Sequence, residues 1–488
     1  MPLSNRNALR RLGASVCVLA LSGCATVGPN FRTPDGPKGA AAAGYAMPGD
    51  QPAPGVRLTP ETRAAGPWWQ AFGSSELDAV VRQALADSPT LAEANATLQR
   101  AQQQAAAVRG AQAPQVDASV SAQRERINTQ AFGFTGFPSP TISLYSVGGN
   151  VAYDLDLFGG KKRATEAAGA RAEAAGRQAD AAYLTLSGNV AMQAMQVASL
   201  RAELATLREV TADDQRVLDM IHAAQRAGSE APSATSGGQA QLAADEALIP
   251  PVERDLAAAR HQLALLVGKS PAEWTAPDFD LARMSYPADA PISLPSELVR
   301  KRPDILAAAA ELHAATADVG VAVANQYPDI RLTANLTQAA IKPESLFNYA
   351  SSGWNLLGGV YAPVFHGGTL KAERKGAEAE ARAALARYQQ TVIGAFVQVS
   401  DVLAALASDQ QEIASLQRSE AASAAAAKDA QTAYRLGGGT LLQVIDAQRQ
   451  FNRARRASVQ AQGQRLSDLV QLFTATAADW RTTETAQR

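Results

Sequence analysis

Few residues in this 488-residue chain are of a type that could do chemistry, and their spacing decides what they can do. The four histidines, His222, His261, His313 and His366, are scattered, and none has a Cys, His or carboxylate at ligand spacing that stands out from helical background. Gly437-Gly438-Gly439 lacks the Lys-Ser/Thr that a phosphate loop needs, so these glycines are turn formers. No nucleophile elbow is present. The pattern predicts no catalytic residue, no metal ligand set and no bound cofactor, hence no enzyme. Two features remain, Cys24 near the N-terminus and isolated polar residues such as Asp446 on long, apolar-striped segments.

The N-terminus sets the compartment. Arg6, Arg10 and Arg11 precede an apolar run from Leu12 to Leu21, too short to span a bilayer and typical of a secretion signal. It ends in Leu21-Ser22-Gly23-Cys24, which resembles the bacterial lipobox. That resemblance implies cleavage before Cys24 and transfer of a diacylglycerol to its sulfur, a covalent lipid anchor. Ala25 follows, where an aspartate would imply retention at the inner membrane, so delivery to the outer membrane is implied. Cys17 leaves with the signal, and no disulfide is available. A net charge of −1 argues against nucleic acid as a partner.

The remaining elements must position whatever these residues do. Val27 to Pro67 is rich in Pro, Gly and Ala and reads as an extended tether or strap. Trp68-Trp69, with Phe72 and Leu77, begins the ordered body as a packing anchor. The chain then repeats itself. Pro89 and Pro114 lie 25 residues apart, as do Pro303 and Pro328, and both intervals are helical in pattern. Each is followed by alternation: Val116, Ala118, Val120 and Ala122 against Asp117, Ser119, Ser121 and Gln123, and Ile330, Leu332, Ala334 and Leu336 against Arg331, Thr333, Asn335 and Thr337. Period two with one polar face predicts strands. A second strand follows in each half, with Asn150, Asp154 and Asp156 on the polar side of the first and Trp354, Leu356, Val360, Ala362 and Val364 on one side of the other.

Long helices come next. Leu186, Val190, Val197, Leu200, Leu204, Leu207, Leu218 and Ile221 keep a three-four rhythm, with Gln193, Thr211 and Asp214 in weaker slots. Ala164 to Arg226 has no proline and would be on the order of 95 Å long as a helix. A tip over Gly228 to Gly238 and a return over Gln239 to Val267, tolerating or kinking at Pro250-Pro251, complete a hairpin. Ala372 to Thr476 forms a second, with Tyr388, Val392, Val399, Val402, Leu406, Ile413 and Leu416 in the seam, Ala395 and Asp409 as weak members, and Gly437, Gly438 and Gly439 at the tip. The expected divisions are a signal over 1–23, an anchored extended segment over 24–67, a first repeat over 68–268, a linker over 269–295, a second repeat over 296–476 and a tail over 477–488.

The fold class is thus mixed α and β, a duplicated unit of helix, two strands, long helix, tip and helix. Four strands of roughly ten residues can cross an outer membrane when tilted, but cannot close alone. A dimer would pool eight strands around a filled interior; a trimer would pool twelve, enough for an aqueous lumen. The other reading of the strands is a sheet lying on soluble helices.

The residues closely resemble the outer-membrane efflux lipoproteins of the TolC/OprM type, in the NodT-like branch. The matching stretches are Cys24-Ala25-Thr26-Val27-Gly28-Pro29-Asn30-Phe31, Trp68-Trp69 with Phe72, Leu294-Pro295-Ser296-Glu297-Leu298 followed by Arg302-Pro303-Asp304-Ile305, Gly320-Val321-Ala322 leading to Tyr327-Pro328, and Tyr434-Arg435-Leu436-Gly437 leading to Val444-Ile445-Asp446-Ala447-Gln448. The resemblance covers nearly the whole mature chain. It implies a homotrimer with a shared twelve-stranded outer-membrane barrel continuous with a periplasmic α-helical barrel. It also implies export of small molecules such as drugs and toxic compounds, with a periplasmic adaptor and an inner-membrane pump, the proton-driven multidrug type being the expected kind.

It further implies a periplasmic gate after the second tip, where relatives carry two aspartates one turn apart, a nearby tyrosine and, in some, an arginine. Asp446 matches the second aspartate and Tyr434 the tyrosine, whereas Gln443 stands at the first aspartate and Gly439 at the arginine. One acidic ring and one Gln ring make a weaker charge latch than two acidic rings. The expectation is a closed state held more by Gln443 and Tyr434 hydrogen bonds and packing than by ion pairs. Gly228 and Gly437 to Gly439 mark the tips that would meet the adaptor; the first tip lacks the Leu-Asp-Val-like segment of relatives. Asp117, Asn150, Asp154 and Asp156 are candidates to line the lumen. The alternative class is a periplasmic, lipid-anchored helical-hairpin adaptor or scaffold, which needs no lipid-facing strands and usually has one hairpin.

Overall fold

The computed structural model describes residues 26–34, 57–59, 67–133, 135–287, 289–291 and 295–477. Cys24, the signal over 1–23, most of the tether and all but the first residue of the tail lie outside the described residues. Helices α1 (Ser75–Asp87) and α2 (Pro89–Gly110) lead into strands β1 (Gln115–Arg126) and β2 (Thr141–Leu155). Then come α3 (Gly160–Arg226), α4 (Pro232–Glu246) and α5 (Ile249–Val267). The second half repeats this order with α6 (Pro295–Lys301), α7 (Pro303–Ala324), β3 (Asp329–Ala340), β4 (Ser352–Tyr361), α8 (Thr369–Arg435) and α9 (Leu441–Thr476). A short parallel pair, 57–59 with 289–291, accompanies them.

The chain forms two compact units. Among the described residues, one comprises 26–34, 97–133, 135–176 and 307–388; the other comprises 57–59, 67–96, 177–287, 289–291, 295–306 and 389–477. The first unit holds an antiparallel sheet in the order β1-β2-β3-β4. Its register places Val116 opposite Val151, Val151 opposite Ala334, and Ala334 opposite Leu356. One face is therefore a continuous apolar surface, completed by Val120, Val147, Tyr153, Leu332, Leu336, Trp354 and Val360, while the other carries Asp117, Ser119, Asn150, Thr333 and Asn335. Much of the apolar face has no cover among the described residues: Val116, Val120, Trp354, Leu356 and Val360 are each 70% or more exposed.

The second unit is organised around Trp68, Trp69 and Phe72, all but fully buried. Trp68 stacks on Phe473 of α9 at 5.6 Å, and the Trp69 indole N–H donates to Asp78 at 2.9 Å. The three-four rhythm becomes the packing seam. All eight named apolar residues of α3 are buried, as are Val392, Val399, Val402 and Leu406 of α8.

Three sequence expectations need correction. The first tip is shorter than Gly228 to Gly238, because Pro232 is favoured in a first helical turn and starts α4 there. Gly238 is helical and packs on Ile221 and Leu218. The return is not one kinked helix either. It breaks at Ala247 and Leu248, and Pro250 and Pro251 fall in the first turn of α5, where a missing N–H costs nothing. Asp156 lies one residue beyond β2, and its Oδ2 accepts the Lys162 N–H at 2.8 Å, capping the start of α3 instead of extending the polar face.

Helix α9 lies close against α3 at Gly463, where a Cβ would meet the Ser199 Cβ at 2.6 Å. Gly463→Ala should lower the thermal midpoint, read by circular dichroism in the helical band, with a net cost of ~1 kcal/mol even though alanine is the better helix former. A raised midpoint would show that this approach is not a hard contact.

Candidate functional site

The two hairpin tips are built alike. At the first, Ser229 N–H donates to Ala224 O and Gly228 N–H to Gln225 O, both at 3.0 Å; at the second, Gly438 N–H donates to Ala433 O at 2.9 Å and Gly437 N–H to Tyr434 O at 3.0 Å. These paired bonds form a Schellman cap, which needs a left-handed residue; Gly228 (φ +76) and Gly437 (φ +79) supply it. Gly439 sits tight against Ala433 and Tyr434. Thr440 and Gln443 then form a reciprocal capping box at the start of α9, with Thr440 N–H donating to Gln443 Oε1 at 2.9 Å.

Of the residues expected at a gate, Tyr434 donates its hydroxyl proton to Glu230 Oε1 at 3.1 Å, joining the two tips. Gln443 has its side-chain oxygen committed to the cap. Asp446 is half exposed, 3.8 Å from Arg449, which also bonds Gln241 of α4. Beneath them Val217, Leu218, Ile221, Leu441 and Val444 form a small buried cluster. A groove of about 360 Å³ beside it is lined by Arg216, Lys428, Arg435, Asp213 and Gln448 among others.

Two heptad positions hold carboxylates where apolar residues would be expected. Asp214 is 6% exposed and Asp409 8%, and one oxygen of each has no partner able to donate a proton to it. Burial, then the neighbouring Asp245, pushes Asp214 up to about 8, against a bond from Asn452. Burial, then Asp468, pushes Asp409 up to about 7, with Glu412 adding to the effect and Arg465 opposing it. A proton shared within each carboxyl pair satisfies the orphaned oxygen.

In the sheet unit, Arg163 clasps the segment that follows Cys24. Its guanidinium is 4% exposed and donates to Val27 O at 3.1 Å, Asn30 Oδ1 at 2.7 Å and Glu166 Oε2 at 2.8 Å. Phe31 stacks on His313 at 4.5 Å, and His313 Nε2 lies 3.0 Å from Glu166 Oε1. Burial acts to raise the Glu166 carboxyl, but bonds from His313 and Arg163 prevail and hold it below the usual range. Sequence pattern singled out none of Arg163, Glu166 or Glu230, because the bonds of Arg163 to Val27 and Asn30, Glu166 to His313 and Glu230 to Tyr434 join residues far apart in the chain.

On the polar face of the sheet, Asp117 and Asn150 are direct cross-strand neighbours, and Asp154 is ion-paired with Arg331 at 2.8 Å and Lys161 at 3.1 Å. Among the described residues no group of three or more His, Cys, Asp or Glu is placed to hold a metal ion. The sheet has one apolar and one polar face, and both helical hairpins end in capped tips. The family model described as outer membrane efflux protein matches residues 80–269 and 294–478.

The chain belongs to that family.

It is 30% identical over 421 residues to the pyoverdine export outer membrane protein OpmQ of Pseudomonas aeruginosa, covering 85% of this chain and 87% of the relative. It is 27% identical over 467 residues to the cation efflux system protein CusC of Escherichia coli K12, covering 94% and 97%. Among solved structures, the outer-membrane channel OprN matches with a TM-score of 0.84 at 28% identity, covering 93% of this chain and all of that one. This efflux-family chain is therefore an outer-membrane channel of an efflux or export system in a Gram-negative bacterium, reaching into the periplasm. Members of the family are channels, not enzymes.

The buried acids give the channel a pH dependence whose sign is fixed. Both carboxyls titrate higher folded than unfolded, so their contribution to stability is fully present below about pH 4 and is lost as pH rises through 7 to 8. Asp214→Asn with Asp409→Asn should flatten the fall in thermal midpoint between pH 5 and pH 8 and stabilise the protein by ~2 kcal/mol at pH 8. An unchanged slope would mean that these acids are not protonated in the native state.

Proposed function

We propose that three copies of this chain close a twelve-stranded barrel in the outer membrane, and that their hairpins line a periplasmic conduit. Small molecules arrive from an inner-membrane pump of the proton-driven multidrug type through a periplasmic adaptor, and leave passively. The observation that carries this reading is the four-stranded sheet whose outer edges are unpaired and whose apolar face is bare among the described residues. The pore does no covalent chemistry and holds no cofactor. Cys24 carries a diacylglycerol, and the clasp of Arg163 on Val27 and Asn30 supports an anchor held close to the sheet.

The tips form the gate and the adaptor's docking end. Gly228 and Gly437 to Gly439 shape them, and the basic groove of Arg216, Lys428 and Arg435 offers an acidic or hydrogen-bonding partner helix a surface. The latch that holds a tip closed within one chain is the Tyr434–Glu230 bond, with Asp446 adding a ring of three carboxylates that repel one another in the closed state. Gln443 contributes by capping α9.

Reconstitution of the purified full-length protein in planar bilayers tests both levels. Discrete conductance steps are expected, with Tyr434→Phe raising the mean open conductance about twofold or more by loosening the latch, and Asp446→Ala lowering it and weakening cation selectivity by relieving the repulsion that opposes closure. Absence of any steps would refute the channel. Steps unchanged in both variants, in conductance and in ion selectivity, would remove the gate from this tip.

A further inference from the structure

The register of the sheet brings four polar residues into one row across the strands. Asp117 pairs with Asn150, Asn150 with Asn335, and Asn335 with Asn355, so a single row crosses all four strands on the polar face. The next row on that face is Ser119, Gly148, Thr337 and Gly353, in which two positions have no side chain. The row on the other side is Gln115, Ala152, Thr333 and Leu357. The carboxylate and three carboxamides therefore stand clear of at least one flank. None of the four side chains makes a hydrogen bond or ion pair among the described residues, so their donors and acceptors are free toward the open side.

We infer that Asp117, Asn150, Asn335 and Asn355 form a slanted polar girdle on the lumen wall, one oblique row per chain and three carboxylates among nine carboxamides in all, which passes cationic, hydrogen-bond-rich cargo along its wall in preference to anions. The inference rests on the three-chain barrel proposed above. Twelve strands about 4.8 Å apart and tilted by about 40° enclose a backbone cylinder roughly 24 Å across. Neighbouring girdle residues lie about 5 Å apart, close enough for one cargo molecule to touch several. The axis lies beyond a Debye length of about 8 Å at physiological ionic strength, so the field acts on cargo near the wall and leaves ions at the centre almost untouched. Elsewhere on this face Asp154 is ion-paired with Arg331 and Lys161, and Asp117 is the charge within the girdle row itself.

A local probe separates the girdle from the gate in series with it. Asn335→Cys and, on the opposite face, Ala334→Cys are placed in the full-length protein in cells. They are exposed from outside to a cationic (trimethylammonium-ethyl) and an anionic (sulfonato-ethyl) methanethiosulfonate. Asp117 lies about 10 Å from position 335, two strand spacings away, so in dilute buffer the cationic reagent should react about threefold faster than the anionic one, after correction for their rates with a small thiol. Asp117→Asn should bring that ratio close to one, and Ala334→Cys should stay unmodified in lipid. Equal reactivity at 334 and 335, or a ratio unmoved by Asp117→Asn, overturns the girdle while leaving the channel intact. Unheated gel electrophoresis of the same samples distinguishes the other failure: a chain that does not run as a heat-modifiable trimer overturns the barrel itself.

Discussion

The outer edges of β1 and β4 each present a row of backbone N–H and C=O groups that no strand of the chain takes up among the described residues. In water such an edge is solvated and merely prone to association. Inside hydrocarbon each unsatisfied group costs several kcal/mol, and a sheet with bare edges cannot persist. The apolar face makes hydrocarbon its natural surroundings, and the polar face makes a lumen necessary. Edge and face together demand more strands than one chain has, and twelve is the smallest multiple of four that leaves room for water.

The helices meet a different constraint. Their seams must pack over many turns without the gain of large aromatic residues, and alanine and the glycine at 463 allow the close approach that this requires. Into this seam the chain inserts Asp214 and Asp409, which satisfy their oxygens only by retaining a proton. A buried carboxyl pair gives less stability than a leucine would, but it fixes which residues face each other. Asp214 meets Asp245 and Asn452, and Asp409 meets Asp468, in only one register of the seam.

Periodic features were legible in the sequence, and features resting on a single distant partner were not. Alternation marked all four strands, because a sheet with two different solvents on its faces imposes period two on every residue. The three-four rhythm even admitted Asp214 and Asp409 as members of the seam, where both are buried. The proline pair at 250 and 251 misled, since a proline's position relative to a helix start cannot be read until the start itself is known. Asp156 continued the alternation by one residue, but a helix beginning at Gly160 had a stronger use for its carboxylate. The Arg163 clasp and the Tyr434–Glu230 bond left no local trace, joining residues more than a hundred positions apart.

Closure between copies along the sheet edges is the central claim, and disulfide trapping reads it directly. Single cysteine pairs, one at positions 118–122 of β1 and one at positions 354–358 of β4, would be oxidised in the full-length protein in its membrane. At least one pairing should give covalent bands of two and three chains and nothing larger. No cross-link in any register from protein resident in the outer membrane, or a ladder extending beyond three chains, would contradict the shared barrel.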